Sequence, residues 1–175
     1  MFSIQQAQYL LELPKKVEMN GVLEDKIEIH QQPFPFTVRY TLISPDNTDF
    51  TFIYDITQSK KNHFKLTLYL LDDDTKIGLI RIDYNGQHKN PETITPKVPE
   101  IFHPFAGKFF DYHEHHIHYY VEGYKTTLDW ALPLTEDSFP VKTISNNNDI
   151  EQAFFSFNKL IHLQTVFNIL QPSLL

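Results

Sequence analysis

Four of the nine histidines fall within six positions, His113, His115, His116 and His118, at the head of the aromatic run that ends at Tyr124. Imidazole ligates transition metals and titrates near neutral pH, so the spacing of these residues carries chemical meaning. The flanking Ile117, Tyr119, Tyr120 and Val121 favour a β-strand. Strand side chains alternate between faces, which predicts His116, His118, Tyr120 and Glu122 on one face. Residues two apart on a strand lie roughly 6.5–7 Å from each other. Two imidazoles can span that gap to share one cation at Zn–N distances of about 2.0–2.1 Å. The pair predicts a transition-metal site, with zinc the first choice.

A third ligand has to come from another segment. His88, in Gly86-Gln87-His88-Lys89-Asn90-Pro91, sits where a strand ending at Tyr84 runs into a long loop. His103, Asp111 and His113 are alternatives inside or at the end of that loop. The fourth position falls to Glu122, to His113 or to water. The plainer reading makes His113 and His115 a solvated edge. Glu122 could also orient a histidine or act as general base on metal-bound water, against the plain alternative of a surface carboxylate. Arg81 and Asp83 share a strand face, which reads most simply as an in-strand salt bridge. The sharper reading is an anion clamp, with Arg81 holding a phosphate while Glu122 activates water.

Other chemistries find no support. The chain has no cysteine, which excludes disulfides, thiolate zinc sites and thiol nucleophiles. It has neither a G-x-S-x-G elbow nor a G-x-x-x-x-G-K loop. Glu114 lies between His113 and His115 without the i,i+4 histidine spacing of zincins. The acidic-x-Lys pattern of restriction-type nuclease cores is also missing near Asp55 and Lys65.

The elements that must position these residues are mostly strands. Ile4–Leu13 has helical spacing at Ile4, Ala7, Leu10 and Leu11 and stops at Pro14. Segments 26–30, 36–44, 50–57, 63–71 and 77–84 are rich in Val, Ile, Thr, Phe and Tyr. Turn signals at Pro45-Asp46-Asn47, at 59–62 and at Asp72-Asp73-Asp74 separate them, and such short connections favour antiparallel hairpins. Residues 85–111 carry Pro91, Pro96, Pro99 and Pro104 and read as a long ordered loop. Leu128–Leu134 is a further strand. Asp149 is a plausible N-cap for a last helix over Ile150–Asn168. The expected fold is α+β: a curved antiparallel sheet of about six or seven strands, with an N-terminal and a C-terminal helix packed on it.

The chain is 175 residues long, most simply one domain spanning 1–175, and its 41% hydrophobic content supports a folded core. Twenty-two acidic residues against 15 basic ones leave a formal charge of −7, with no long basic run. That disfavours direct nucleic-acid binding and suits a basic protein partner. The same charge is also accounted for by solubility alone. Tyr9-Leu10-Leu11, interrupted by Glu12, is too short for a signal-peptide core, and no segment approaches a membrane span. A soluble, cytoplasmic protein is expected.

The motifs themselves resemble a family. Arg81-Ile82-Asp83, Gly86 and His88-Lys89-Asn90-Pro91 are similar to an R-x-D-x-x-G-x-x-H-x-N-P-D-G block of uncharacterised small bacterial and mobile-element proteins. His116-Ile117-His118-x-Tyr120-x-Glu122-Gly123-Tyr124, leading into Trp130-Ala131-Leu132-Pro133-Leu134, resembles that family's second block. Glu92-Thr93 stands here in place of Asp-Gly, and His115 in place of a proline. The resemblance supports His88, His116, His118, Tyr120 and Glu122 as site residues and implies no activity. Taken with the acidic charge, it implies a non-catalytic metal-binding inhibitor or adaptor of the anti-CRISPR kind. Its partner would be a nucleic-acid-handling host protein such as a type II CRISPR nuclease. A metal-dependent phosphodiesterase or toxin-type nuclease is the alternative.

Overall fold

The computed structural model describes residues 2–30, 37–59, 64–124 and 128–170. Helix α1 spans Ile4–Glu12. Ser3 and Gln6 cap it reciprocally, the Ser3 hydroxyl accepting from the Gln6 amide and the Gln6 side chain from the Ser3 amide. Strands β1 (Lys16–Met19) and β2 (Val22–Glu24) form a hairpin additional to the expected segments. Asn20 and Gly21 join them at φ 54° and 82°, the left-handed pair that a two-residue type I′ turn requires. Strands β3 (Lys26–His30), β4 (Thr37–Ile43), β5 (Thr51–Gln58), β6 (Leu66–Asp72) and β7 (Gly78–Tyr84) follow closely the expected segments. The expected turn at 60–62 lies outside the described residues.

The segment expected as a loop is more ordered than that. It contains β8 (His88–Lys89), a 3-10 turn at Glu100–Phe105 and β9 (Phe109–Phe110), and β8 pairs with β9. Strands β10 (His116–Tyr119) and β11 (Trp130–Pro133) come next. Strand β10 is shorter than expected: it stops at Tyr119, and the chain turns over Glu122-Gly123 with Gly123 at φ 95°. Glu122 is therefore not on the strand face of the histidine pair.

Helix α2 runs over Asn147–Leu160, earlier than expected. Asn146 is the N-cap, its side chain accepting from the Asp149 amide, while Asp149 takes the third helical position and accepts in return. Ile161 closes the helix, and His162 at φ 54° turns the chain away. The alternating Val166-Phe167-Asn168-Ile169 then forms β12 (Val166–Leu170), parallel to β3.

Eight strands form one antiparallel sheet in the order β11-β10-β7-β6-β5-β4-β1-β2, so the expected α+β sheet with terminal helices is present. Pairing aligns Ile56, Leu68, Ile82, Ile117 and Leu132 in one row, and Tyr54, Leu70 and Ile80 in the next. This apolar face is the core, and Phe157 of α2 stacks on Tyr54 at 5.5 Å between ring centroids. Each large side chain fully buried here is worth roughly 1.5–3 kcal/mol.

Lys15 is buried beside that core. Its ammonium donates to the carbonyls of Leu11, Leu13 and Ile161 at 2.9, 2.7 and 3.2 Å, and lies 4.7 Å from the Phe52 ring centroid. Those carbonyls belong to the C-terminal ends of α1 and α2, where a cation complements the helix dipoles. Burial pushes the Lys15 ammonium down to about 7.

A candidate metal centre on the opposite face

The face away from the helices carries the polar residues. Strand register places Thr67, Asp83 and His116 in one row across β6, β7 and β10, and Tyr69, Arg81 and His118 in the neighbouring row. Residues facing each other across antiparallel strands have Cα atoms only about 4.5–5.5 Å apart. Register alone thus gathers Asp83, His116 and His118, and their ligating atoms all lie within 4.8 Å of one another. Asp83 Oδ2 is 3.2 Å from His118 Nε2 and 3.8 Å from His116 Nε2. Donors about 2.0–2.2 Å from a tetrahedral zinc are separated by roughly 3.3–3.5 Å, so the spacing suits one ion.

The proton inventory shows why the group could hold a cation. His116 Nδ1 donates to the Glu114 carbonyl at 2.8 Å, and His118 Nδ1 to the Leu128 carbonyl at 2.8 Å. Both rings thereby turn unprotonated Nε2 atoms toward Asp83, the arrangement in which metal-binding histidines are oriented by a second hydrogen bond. Both side chains are fully buried, and His116 Nε2 has no hydrogen-bond partner. Burial pushes the His118 imidazole down to about 3 and also lowers those of His116 and His88, which keeps the rings neutral at pH 7. Burial alone would raise the Asp83 carboxyl. The charge of Arg81 and the hydrogen bond from Thr67 outweigh it and hold the carboxylate well below its usual range.

Arg81 is the cation already present. Its Nε donates to Asp83 Oδ2 at 2.8 Å and its Nη2 to His118 Nε2 at 2.9 Å, while Thr67 donates to Asp83 Oδ1 at 2.6 Å. The in-strand ion pair expected from the sequence is thus there, extended onto the histidine. Gly86 packs against Asp83; a Cβ at that position would lie 3.1 Å from the Asp83 Cβ.

The β8–β9 hairpin covers the site. Phe110 lies over His116 at 4.8 Å and the His88 ring meets His118 edge-on at 4.5 Å between centroids. His88 Nε2 donates to Asn90 Oδ1 and the Asp129 carbonyl, which leaves Nδ1 as its lone-pair nitrogen. His88 stands beside the Asp83–His116–His118 group without belonging to it. Asn90 has its own task. Its amide donates to the Ala131 carbonyl at 2.9 Å and accepts from the Ala131 amide at 2.9 Å, continuing the ladder at the open edge of β11.

The remaining sequence candidates lie elsewhere. Glu122 pairs with Lys97 at 2.8 Å, which holds its carboxyl below the usual range. His113 is exposed on the turn after β9, its amide bonded to Asp111. His103 Nε2 bonds the Val98 carbonyl, and His115 Nδ1 accepts from the Asn85 amide. Tyr120 donates to the Phe2 carbonyl. Asp83 is the ligand candidate that sequence spacing did not single out. Its signal was the period-two alternation with Arg81, which from sequence reads as a salt bridge or an anion clamp and not as a metal ligand.

Fold and site together define an antiparallel α+β protein with a two-histidine, one-carboxylate candidate metal centre. Its sequence places it more narrowly: a family model matches residues 2–163, and the chain belongs to that family, a family of unknown function (DUF6978). No curated protein and no solved structure matches the chain. Among the described residues, no helix is long and apolar enough to cross a membrane.

Proposed function

We propose that this protein binds one divalent transition-metal ion, zinc foremost, between Asp83, His116 and His118. The metal-held fold then works without catalysis, as an inhibitor or adaptor on a basic, nucleic-acid-handling partner. The observation that carries the metal reading is the convergence of three unprotonated acceptors on one point, with His116 Nε2 buried and unpartnered. Burial of both imidazoles suits a structural ion, whose binding energy becomes folding energy. The partner class is supported by the net charge of −7.

The acidic residues at Asp72-Asp73-Asp74, at Glu136-Asp137 and at Asp111 and Glu114 add little to that support. Asp72 is buried and accepts from Thr75, Asp73 pairs with Lys76, Asp137 accepts from Tyr119 and Phe139, and Glu114 pairs with Lys108. Asp74, Glu136 and Asp111 remain exposed.

Elemental analysis of untagged protein and of His118→Ala tests the metal. One equivalent of metal in the wild type and its loss in the variant is expected; a metal-free wild type refutes it. The partner reading is tested against a type II CRISPR nuclease loaded with guide RNA. Binding with slowed DNA cleavage is the expected result, and no effect across several such effectors removes the reading. One observation favours a second reading, metal-dependent phosphodiester hydrolysis: the partly exposed Arg81 guanidinium lies directly against the ligand atoms. Glu122 has no part in it, being paired with Lys97. Cleavage of RNA or DNA with added zinc, manganese or magnesium, lost in His116→Ala, would establish that reading in place of the first.

A further inference from the structure

We infer that the site takes an oxyanion as the ion's fourth ligand, held jointly by the metal and Arg81. The inference rests on the metal reading above and adds the ligand class to it. Without an ion, Arg81 uses two of its donors on the atoms that would ligate the metal, Nε on Asp83 Oδ2 and Nη2 on His118 Nε2. The lone pair of His118 Nε2 cannot serve a metal and Nη2 together. Its other ring nitrogen is committed to the Leu128 carbonyl, so the ring has no second acceptor to offer. Metal binding therefore strips Nη2 of its acceptor and leaves a guanidinium facing a dication.

Charge balance points the same way. Asp83 is the only anion in the ligand set, and Asp129, whose backbone carbonyl holds the His88 ring and whose carboxyl burial raises, is a second acid beside it. A dication beside Arg81 leaves a positive excess even with both acids ionised, and unbalanced charge in a mostly buried site is strongly disfavoured. Three protein ligands fill three of the four positions of a tetrahedral ion. One anionic oxygen in the fourth position completes the coordination, accepts from Nη2 and removes the excess charge. The guanidinium is suited to this role, because its planar fork matches phosphate and carboxylate oxygens. Arg81 and Asp83 keep part of their side chains exposed, 24% and 14%, whereas both histidines are closed off. The anion therefore enters from the Arg81 side.

The test uses the full chain, untagged and loaded with Co²⁺, whose visible spectrum reports its ligands. Inorganic phosphate and acetate are titrated separately, to distinguish a phosphoryl from a carboxylate source. The inference expects one of them to change the spectrum saturably. Arg81→Gln, and Arg81→Lys as a charge-keeping control, should still bind one Co²⁺ while the anion binds roughly tenfold to a hundredfold more weakly in Arg81→Gln. A wild-type protein that binds Co²⁺ but responds to neither anion overturns the inference and leaves the metal reading standing. An anion response undiminished in Arg81→Gln also overturns it. Failure of the wild type to bind Co²⁺ overturns both.

Discussion

Replacing Lys15 with methionine keeps the aliphatic stem over Phe52 and removes the ammonium that joins the ends of α1 and α2. In the unfolded chain the amine titrates near 10.5; in the fold, burial brings it down to about 7. Between those values the unfolded state holds a proton that the native state has released, so wild-type stability must rise with pH. With a native value near 7, moving from pH 7 to pH 9 adds about 2 kcal/mol, close to the limiting slope of about 1.4 kcal/mol per unit. For a chain of this size that is a gain of roughly 4–8 °C in Tm. Lys15→Met lacks the group, and every histidine titrates alike in both proteins. The wild type should therefore gain the same ~2 kcal/mol relative to Lys15→Met between pH 7 and pH 9. Urea unfolding of both proteins at the two pH values measures it. A difference that does not change with pH refutes the reasoning: three carbonyl acceptors at two helix C-termini would then outweigh desolvation and keep the ammonium charged throughout.

Three further outcomes are expected. Because burial lowers His118 to about 3 while its unfolded value is 6.5, its contribution to stability is full above pH 6.5 and lost as pH falls toward 3; metal-free protein should lose about 2 kcal/mol from this group by pH 5, read by urea melts with chelator against His118→Phe. Asn90→Asp removes the donor that serves the buried Ala131 carbonyl and should destabilise by about 1–3 kcal/mol in thermal or urea unfolding, since that acceptor is orphaned while the Phe105 carbonyl keeps the Lys108 amide. Gly86→Ala pushes against Asp83 and should weaken Zn²⁺ binding by about tenfold in a chelator competition with little loss of fold, the scale seen when groups supporting metal ligands are altered. Unchanged affinity in that variant would show that Asp83 is not held by this contact.

Much of the sheet is legible from local pattern. Strands β4 to β7 follow alternating β-branched and aromatic residues bounded by turn residues, because each hairpin is decided within about 20 residues of chain. The histidine pair is legible for the same reason: two residues apart on a strand share a face whatever the strand pairs with. Asn20-Gly21 carried a hairpin signal as strong as any in the chain, and it adds β1 and β2 to the sheet. Two features of the site were not local. Asp83 meets His116 because β7 pairs with β10 in one register, although the whole of residues 85–111 lies between the two strands. A slip of one residue would turn Asp83 to the core face. Glu122 failed as a ligand for the converse reason, since alternation holds only while the strand lasts and β10 ends at Tyr119. The same limit applies to β12, where helical spacing at Phe154, Phe157, Leu160 and Ile161 ran into a segment that β3 recruits as a parallel strand. By itself the sequence determined the histidine pair that could bind a metal and the strand that carries it. Which other residues meet that pair was decided by ladder register and strand ends, because backbone pairing between distant segments is settled only when the whole core is buried.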